Sequence, residues 1–363
     1  MNEVRALKVG ILTFHRAINS GAVLQAYALQ KCINDLGFDC EIVDYRCKAI
    51  DSAYKLFHVP ISMKSLLSDL VNYYSRRKKK NKFNTFIKNE VNLSSKSYYR
   101  NNIDRMDDEY DCFFVGSDQV WNEELTGKDK TYFLDFCDRW KKNSYAASVG
   151  SRTIDERHKR LFSRMLNDYN SLSLREKSSV DILSSILNKE IEQSIDPVFL
   201  LHRKKWNQLS GRRLEKKPYI FAYCLHESDV YTQAKKLAEE MGIRVICVPF
   251  GRKCGIKAEI RRSLGPQDFI NYIKNSEAVV SDSFHAVAFS LIYNKCFIAV
   301  KKKQYFEQNE RVDSLLQLFG LQRDSRYVGN EEFLRVNKTI DIERKKATCY
   351  LLDAINRSLE HRS

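Results

Sequence analysis

The chain reads as an α/β protein of two doubly wound, parallel-sheet lobes that face each other across a cleft. Three observations lead there. Short apolar runs alternate with amphipathic helical patterns through almost the whole chain, the change of period that marks strand–helix–strand units and a parallel sheet. A basic stretch at residues 202–217, with Arg203, Lys204, Lys205, Arg212, Arg213, Lys216 and Lys217, breaks that rhythm once, past the middle. The length of 363 residues, 43% of them hydrophobic, exceeds one ordinary domain and suffices for two cores.

The first lobe is expected over residues 1–201. An apolar strand at 8–14, a helix at 21–36 closed by Gly37 and a strand at 41–45 form its βαβ opening. A long basic helical region follows at about 61–90. Further strands are expected at 112–116, 144–149, 172–174 and 194–198, with helical patterns between most of them. Residues 202–217 then read as an inter-domain connection. The second lobe, residues 218–337, repeats the alternation: strands at 219–225, 244–250, 278–281 and 296–300, and helices at 230–241, 266–276, 284–293 and 311–319. Within the last segment, 338–363, an amphipathic helix at 341–359 is expected to cross back onto the first lobe. With 13 glycines and 5 prolines, and no repeat of 20 to 50 residues, tethered modules and solenoids are excluded.

Lysines and arginines number 61 against 46 acidic residues, a net charge of +15, which favours an anionic partner without choosing among phosphate, nucleic acid and membrane surface. The opening apolar run is too short for a signal-peptide core, and no later run approaches the roughly 18 residues of a membrane span. A cytoplasmic protein is expected. The ten cysteines are scattered without a C-x-x-C pair, several inside strand-like runs, so they read as small buried hydrophobes of a reduced compartment. Cysteines and histidines show no ligand spacing, and catalysis without a metal is expected.

In doubly wound sheets ligands bind outside the carboxyl ends of strands, which directs attention to the strand exits. At the first, residues 15–22, the G-x-G-x-x-G spacing of a dinucleotide site is missing. Asn19 there either caps the next helix or meets a ligand. Asp44, at the second exit, reads as an ordinary strand-end carboxylate. After the apolar strand at 112–115 come Gly116, Ser117, Asp118, Gln119, Trp121 and Asn122, a mixture of hydroxyl, carboxylate, amide and indole suited to binding and stacking on a sugar. Asp118 is either a base for a sugar hydroxyl or the cap of a turn. Arg175 ends another strand, placed to fork onto a carboxylate or phosphate or to pair with a neighbouring glutamate. In the second lobe, Asp282, Ser283 and His285 pass from a buried strand into a helix. A histidine in that first turn, with Asp282 nearby, is a candidate general acid that charges once an anion binds. The spacing is not that of a Ser-His-Asp triad. Arg311 opens a later helix on the same rim.

Together these stretches resemble the polysaccharide pyruvyl transferase family. The likeness runs through GILTFHRAINSGAVLQAYAL, FFVGSDQVWN, YAASVG, SLREKSSV, DPVFLL, SDSFHAVAFSL and NERVDSLLQLFGL, in that order, over most of the chain. What the resemblance implies is a Rossmann-like, GT-B-like two-lobed fold, transfer of a pyruvate ketal from phosphoenolpyruvate to a sugar, and an active site between the lobes with no cofactor. It implies that His285 is the catalytic histidine and that Arg175 holds the donor's carboxylate. Many members read Arg-Leu-His-Gly where this chain has Ser283-Phe284-His285-Ala286, so one positive group is missing beside the histidine and the backbone approach is narrower. The expected site is then His285 and Asp118 for catalysis, with Arg175, Arg311, Asn19, Ser283, Ser117 and Trp121 on the substrates.

Two other classes fit less of the chain. One is a nucleotide-sugar glycosyltransferase of the same GT-B fold, whose basic strand exits would hold a diphosphate. The other is a basic membrane or nucleic-acid binder, suggested by the run Arg76-Arg77-Lys78-Lys79-Lys80-Asn81-Lys82. No nucleic-acid module is found. Such a run is usually a solvated helix face, and here it is expected to hold the protein peripherally at the anionic inner membrane surface, where a lipid-linked sugar acceptor would reside.

Overall fold

The computed structural model describes residues 7–54, 63–151, 153–226, 228–251, 254–304 and 306–360. The first sheet contains β1 (Lys8–Leu12), β2 (Asp39–Tyr45), β3 (Leu93–Tyr98), β4 (Cys112–Val115) and β5 (Lys142–Ser144), all parallel, in the order β3-β2-β1-β4-β5. A short parallel pair, β6 (Ser173–Leu174) and β7 (Glu192–Gln193), continues the layer, with Ser144 N donating to Ser171 O at 3.0 Å and Ala147 N to Ser173 O at 3.1 Å. That order, 3-2-1-4-5-6, is the doubly wound one. The second sheet runs β10-β9-β8-β11-β12-β13, from β8 (Tyr219–Tyr223), β9 (Arg244–Val248), β10 (Glu259–Ile260), β11 (Ala278–Ser281), β12 (Cys296–Ala299) and β13 (Asp324–Ser325). Only β13 pairs antiparallel in it. The fold is therefore two doubly wound, Rossmann-like lobes, as in GT-B enzymes.

The helices in chain order are α1 (Ser20–Asp35), α2 (Lys48–Ala53), α3 (Met63–Glu90), α4 (Glu123–Thr126), α5 (Glu156–Leu166), α6 (Lys177–Leu187), α7 (Arg203–Ser210), α8 (Val230–Met241), α9 (Pro266–Asn275), α10 (Phe284–Ile292), α11 (Glu310–Phe319) and α12 (Asn330–Glu360). Buried helices such as α10, FHAVAFSLI, are apolar all round because they lie between a sheet and other helices.

Several expectations change. The strand β3, LSSKSY, went unrecognised because an edge strand with one polar face carries little apolar signal. No strand covers 194–198: β7 ends at Gln193, just before it, and a 3₁₀ turn, Pro197–Phe199, follows, which Asp196 caps by accepting from Val198 N at 3.1 Å. The connection at 202–217 is no loose linker: α7 fills half of it and Trp206 is fully buried, donating to Val198 O at 3.1 Å. The last helix starts at Asn330, inside the stretch assigned to the second lobe. It lies along the first lobe, with Tyr350 Oη donating to Ser144 O at 2.8 Å and Ser358 Oγ accepting from Asn143 and Asn170 at 3.1 Å each.

One apolar core runs between the lobes. Val9, Leu24 and Phe86 of the first lobe join Phe221, Phe269 and Phe289 of the second, together with Leu351 of α12, in a single buried cluster. The helix α3 also reaches across: Lys82 pairs with Asp268 of α9 at 2.6 Å, and Ser263 Oγ donates to Ser75 O at 3.1 Å. The basic run is thus not wholly a solvated face, although Arg77 and Lys78 are exposed. No described helix is long and apolar enough to cross a membrane. The packing sets the carboxyl ends of β4 and β6 against those of β11 and β12, and the candidate site lies there.

Candidate active site

His285 stands in the first turn of α10, which Ser283 caps by accepting from Ala286 N at 3.4 Å. Its ring lies against the start of α1. A Cβ added at Gly21 would fall 2.0 Å from His285 Nδ1, so only glycine lets the two helix N-termini approach this closely. The other ring nitrogen, Nε2, is buried 3.5 Å from Asp196 Oδ2 and makes no hydrogen bond.

Arg175 follows β6 and comes to the same carboxylate from the first lobe. Its Nη1 lies 2.7 Å from Asp196 Oδ2 and its Nε 2.9 Å from Glu176 Oε1, while Ser117 Oγ bonds both Asp196, at 3.0 Å, and Arg175, at 3.2 Å. The guanidinium carbon sits 4.4 Å from the centre of the Phe284 ring, a cation–π contact with the second lobe. The pairing anticipated with a glutamate is present, but buried: the Arg175 and Glu176 side chains are each 4% exposed. Burial alone would raise the Asp196 carboxyl; the charges of His285 and Arg175 outweigh it and hold the group well below the usual carboxylate range. Arg175 Nη2, facing none of these partners, is buried without a hydrogen bond.

Arg311, in the first turn of α11, brings a second guanidinium from the second lobe. It lies 3.9 Å from Asp118 Oδ1, and with the Gln119 amide turned to satisfy its neighbours the Gln119 oxygen accepts from Arg311 Nη1 and Nη2 at 3.0 Å each. Arg311 Nε has no partner. A cavity of about 250 Å³ runs beside the two arginines, lined also by Asp196, Phe284, Glu343 and Lys346.

The other sequence candidates fall into place around this cluster. Asp118 has φ of 83°, and its own Oδ1 accepts from Gln119 N at 2.9 Å, so it shapes a strained turn while facing Arg311. Ser117 is a supporting residue. Asn19 caps α1, accepting from Gly21 N at 3.0 Å, and Ser283 caps α10. Trp121 is not available for stacking on a sugar: it is 1% exposed, donates to Tyr132 O at 2.9 Å and lies parallel to Phe133. Asp282 does not face His285 as a partner. It accepts from Leu225 N and His226 N at 2.8 Å each and fixes the loop after β8. Asp44 is held by His15 at 3.1 Å and by Arg16, Nη2 at 2.6 Å, a buried strand-end network.

Sequence reasoning missed Asp196, Gly21 and Lys302. For Asp196 the available signal was its place before Pro197, which marks a turn start, and nothing in the chain showed that the turn faces Arg175 and His285. Lys302 stands among three consecutive lysines that read as surface charge, yet it is 3% exposed. Among the described residues no group of three or more metal-ligating side chains is assembled.

A family model for polysaccharide pyruvyl transferases matches residues 19–301, which hold Gly21, Asp118, Arg175, Asp196 and His285. The chain belongs to the polysaccharide pyruvyl transferase family. No curated protein matches it. Among solved structures, UDP-GlcNAc 2-epimerase from Methanocaldococcus jannaschii is similar at 10% identity and a TM-score of 0.44, over 93% of this chain and 100% of the other. UDP-N-acetylglucosamine 2-epimerase from Rickettsia bellii is similar at 12% identity and a TM-score of 0.46, over 97% and 98%. The glycosyltransferase SnogD from Streptomyces nogalater is similar at 11% identity and a TM-score of 0.44, over 96% and 100%. For a pyruvyl transferase of this family the cluster has a plain chemical description: Arg175 and His285 from opposite lobes share Asp196, Arg311 faces Asp118, and each of the three cationic side chains keeps an uncommitted nitrogen.

Proposed function

We propose that this pyruvyl transferase moves pyruvate from phosphoenolpyruvate onto two hydroxyls of a sugar, as a ketal, with His285 as the acid. The observation that supports the reading is the convergence of Arg175, Arg311 and His285 on the lobe boundary with Arg175 Nη2, Arg311 Nε and His285 Nε2 all buried and unpaired. Buried donors are kept without partners at a cost of about 1–3 kcal/mol each unless something else binds them. A small anion with a carboxylate and a phosphate answers to that set.

In this reading Arg175 forks onto the donor's carboxylate and Arg311 meets its phosphate. His285 Nε2 gives a proton to the methylene carbon, and the adjacent carbon becomes cation-like. One sugar hydroxyl attacks that carbon and its proton restores the acid on His285; the phosphate then leaves with the C–O electron pair and takes up the proton of the second hydroxyl, which closes the ketal. Asp196 Oδ2 stands 3.5 Å from His285 Nε2. Asp118 faces the acceptor side as base or hydrogen-bond acceptor. No redox cofactor or metal enters these steps. The acceptor is a sugar of a cell-surface polysaccharide or of its lipid-linked precursor, met at the inner membrane face, where Arg77 and Lys78 of α3 are the charges that meet anionic lipid.

The test is incubation with phosphoenolpyruvate and a panel of lipid-linked and nucleotide-linked sugars. Phosphate release matched by a sugar product heavier by one pyruvate ketal is expected. Sugar transfer from a nucleotide donor, with no use of phosphoenolpyruvate, would replace this reading by the glycosyltransferase one.

A further inference from the structure

One buried cation near the site has no part in the steps above. Lys302 follows β12 on the rim of the second lobe and is 3% exposed. Its backbone is fixed on two sides: Lys302 N donates to Asn309 Oδ1 at 3.0 Å, and an antiparallel bridge joins it to Ser228. The ammonium donates to Gln308 Oε1 at 2.8 Å, a neutral partner. Among the described residues no carboxylate forms an ion pair with it, whereas Arg175 has Glu176 and Asp196, and Arg311 faces Asp118.

A buried ammonium without a counter-ion is costly, and proteins keep such groups where an anion arrives to complete them or a proton must move. The charged groups around Lys302 are Arg311 and Arg323 on one side of the balance, Asp282 and Asp118 on the other. Gln308 and Asn309, which bond the Lys302 ammonium and backbone N, lead straight into α11, whose first turn carries Arg311, so Lys302 stands at the base of the arginine that lines the cavity.

We propose that Lys302 is a third anion-binding group of this site: its ammonium binds the phosphate that the donor carries and leaves behind, and it takes up a proton as that phosphate arrives. Burial, reinforced by Arg311, pushes the empty group down to about 7, so at pH 8 most molecules hold it neutral. A phosphate beside it favours the charged form again. The proton comes from buffer and returns there when phosphate departs. The role rests on the proposed function for the donor's identity, but inorganic phosphate alone can test it.

The experiment is calorimetric titration of the full chain with inorganic phosphate, then with phosphoenolpyruvate, at pH 8 in two buffers of different ionisation enthalpy. Binding by the unaltered protein is expected to take up close to one proton, and the uptake to fade at pH 6, where Lys302 is already charged. Lys302→Arg should bind phosphate within about threefold of the unaltered protein but without the uptake, because a guanidinium is always charged. Lys302→Met should bind it about tenfold to a hundredfold more weakly, the worth of one charged hydrogen bond. His285→Asn should lose at most the imidazole's share of the uptake and keep that of Lys302. Unchanged proton uptake in Lys302→Arg, or undiminished phosphate affinity in Lys302→Met, overturns the proposal, as does an unaltered protein that binds neither anion. Binding of phosphate with the expected uptake, but no binding of phosphoenolpyruvate, upholds Lys302 and removes the donor assigned above.

Discussion

His285, Arg175 and Gly21 make the sharpest demands on single side chains. Replacing His285 with asparagine should lower turnover by about a hundredfold or more while the phosphoenolpyruvate requirement changes little, since a general acid acts in the transition state. Arg175→Lys keeps the charge and loses the fork, and should chiefly raise the donor concentration needed. Steady-state kinetics on the two folded variants checks both, and near-normal turnover in the first would remove the mechanism. Gly21→Ala is a less obvious test. Alanine in a helix is ordinarily worth up to about 1 kcal/mol over glycine, but here its methyl would stand 2.0 Å from the imidazole. The expected result is a variant with helical content intact and turnover reduced about as far as in His285→Asn. Of these residues, His285 and Arg175 were legible because each lies just past the carboxyl end of a strand, where doubly wound sheets bind their ligands. Gly21 was not: its reason is a ring that approaches from more than 260 positions further along the chain.

Elements were legible where one face is apolar and the period repeats. The helices α8, α9, α10 and α11 begin and end within a residue of expectation, because a cap or a left-handed residue such as Gly242 or Gly320 punctuates them. Two-residue strands such as β10 and β13 offer too few side chains for any period, and α7 is so basic that its buried Trp206 was the only sign of packing. At this scale the helix α3 has two duties, since Lys82 bonds Asp268 across the lobes while Arg77 and Lys78 face outward. Changing Arg77 and Lys78 together to glutamine should therefore weaken sedimentation with anionic vesicles at low salt and leave turnover on a soluble acceptor intact, each charge being worth about 1 kcal/mol at such a surface. Vesicles that fail to bind the unaltered protein would dispose of membrane docking. The helix α12 is predicted to be indispensable: Leu351→Ala, at a fully buried position, should cost about 2–5 kcal/mol, read as a lowered denaturant midpoint.

For the molecule as a whole, two lobes could be counted from the rhythm of the chain, but their mutual packing could not, because the contacts that join them are between residues far apart in sequence. The buried cluster around Asp196 gives the folded protein an acid limit. Its carboxyl is depressed in the folded state, so the stabilisation is complete above the unfolded carboxyl's range near pH 4 and is lost as pH falls below it. Asp196→Asn should cost about 1–3 kcal/mol at neutral pH, since it removes one charged partner of Arg175 and leaves Glu176 as the other, and its stability should decline less steeply in acid than that of the unaltered protein. Urea unfolding from pH 7 down to pH 3 measures both. A thermal shift with phosphoenolpyruvate and none with nucleoside diphosphates is the expected ligand response. The shared apolar core has a mechanical consequence. With Leu24 and Phe289 in one buried cluster that also takes in Leu351 of α12, swinging the lobes apart would expose apolar core. The cavity of about 250 Å³ beside Arg175 and Arg311 is of a size for a small anion. On the proposed reading the acceptor sugar then comes to the seam as an exposed unit of its glycan, and ketals are expected at chain ends and side branches.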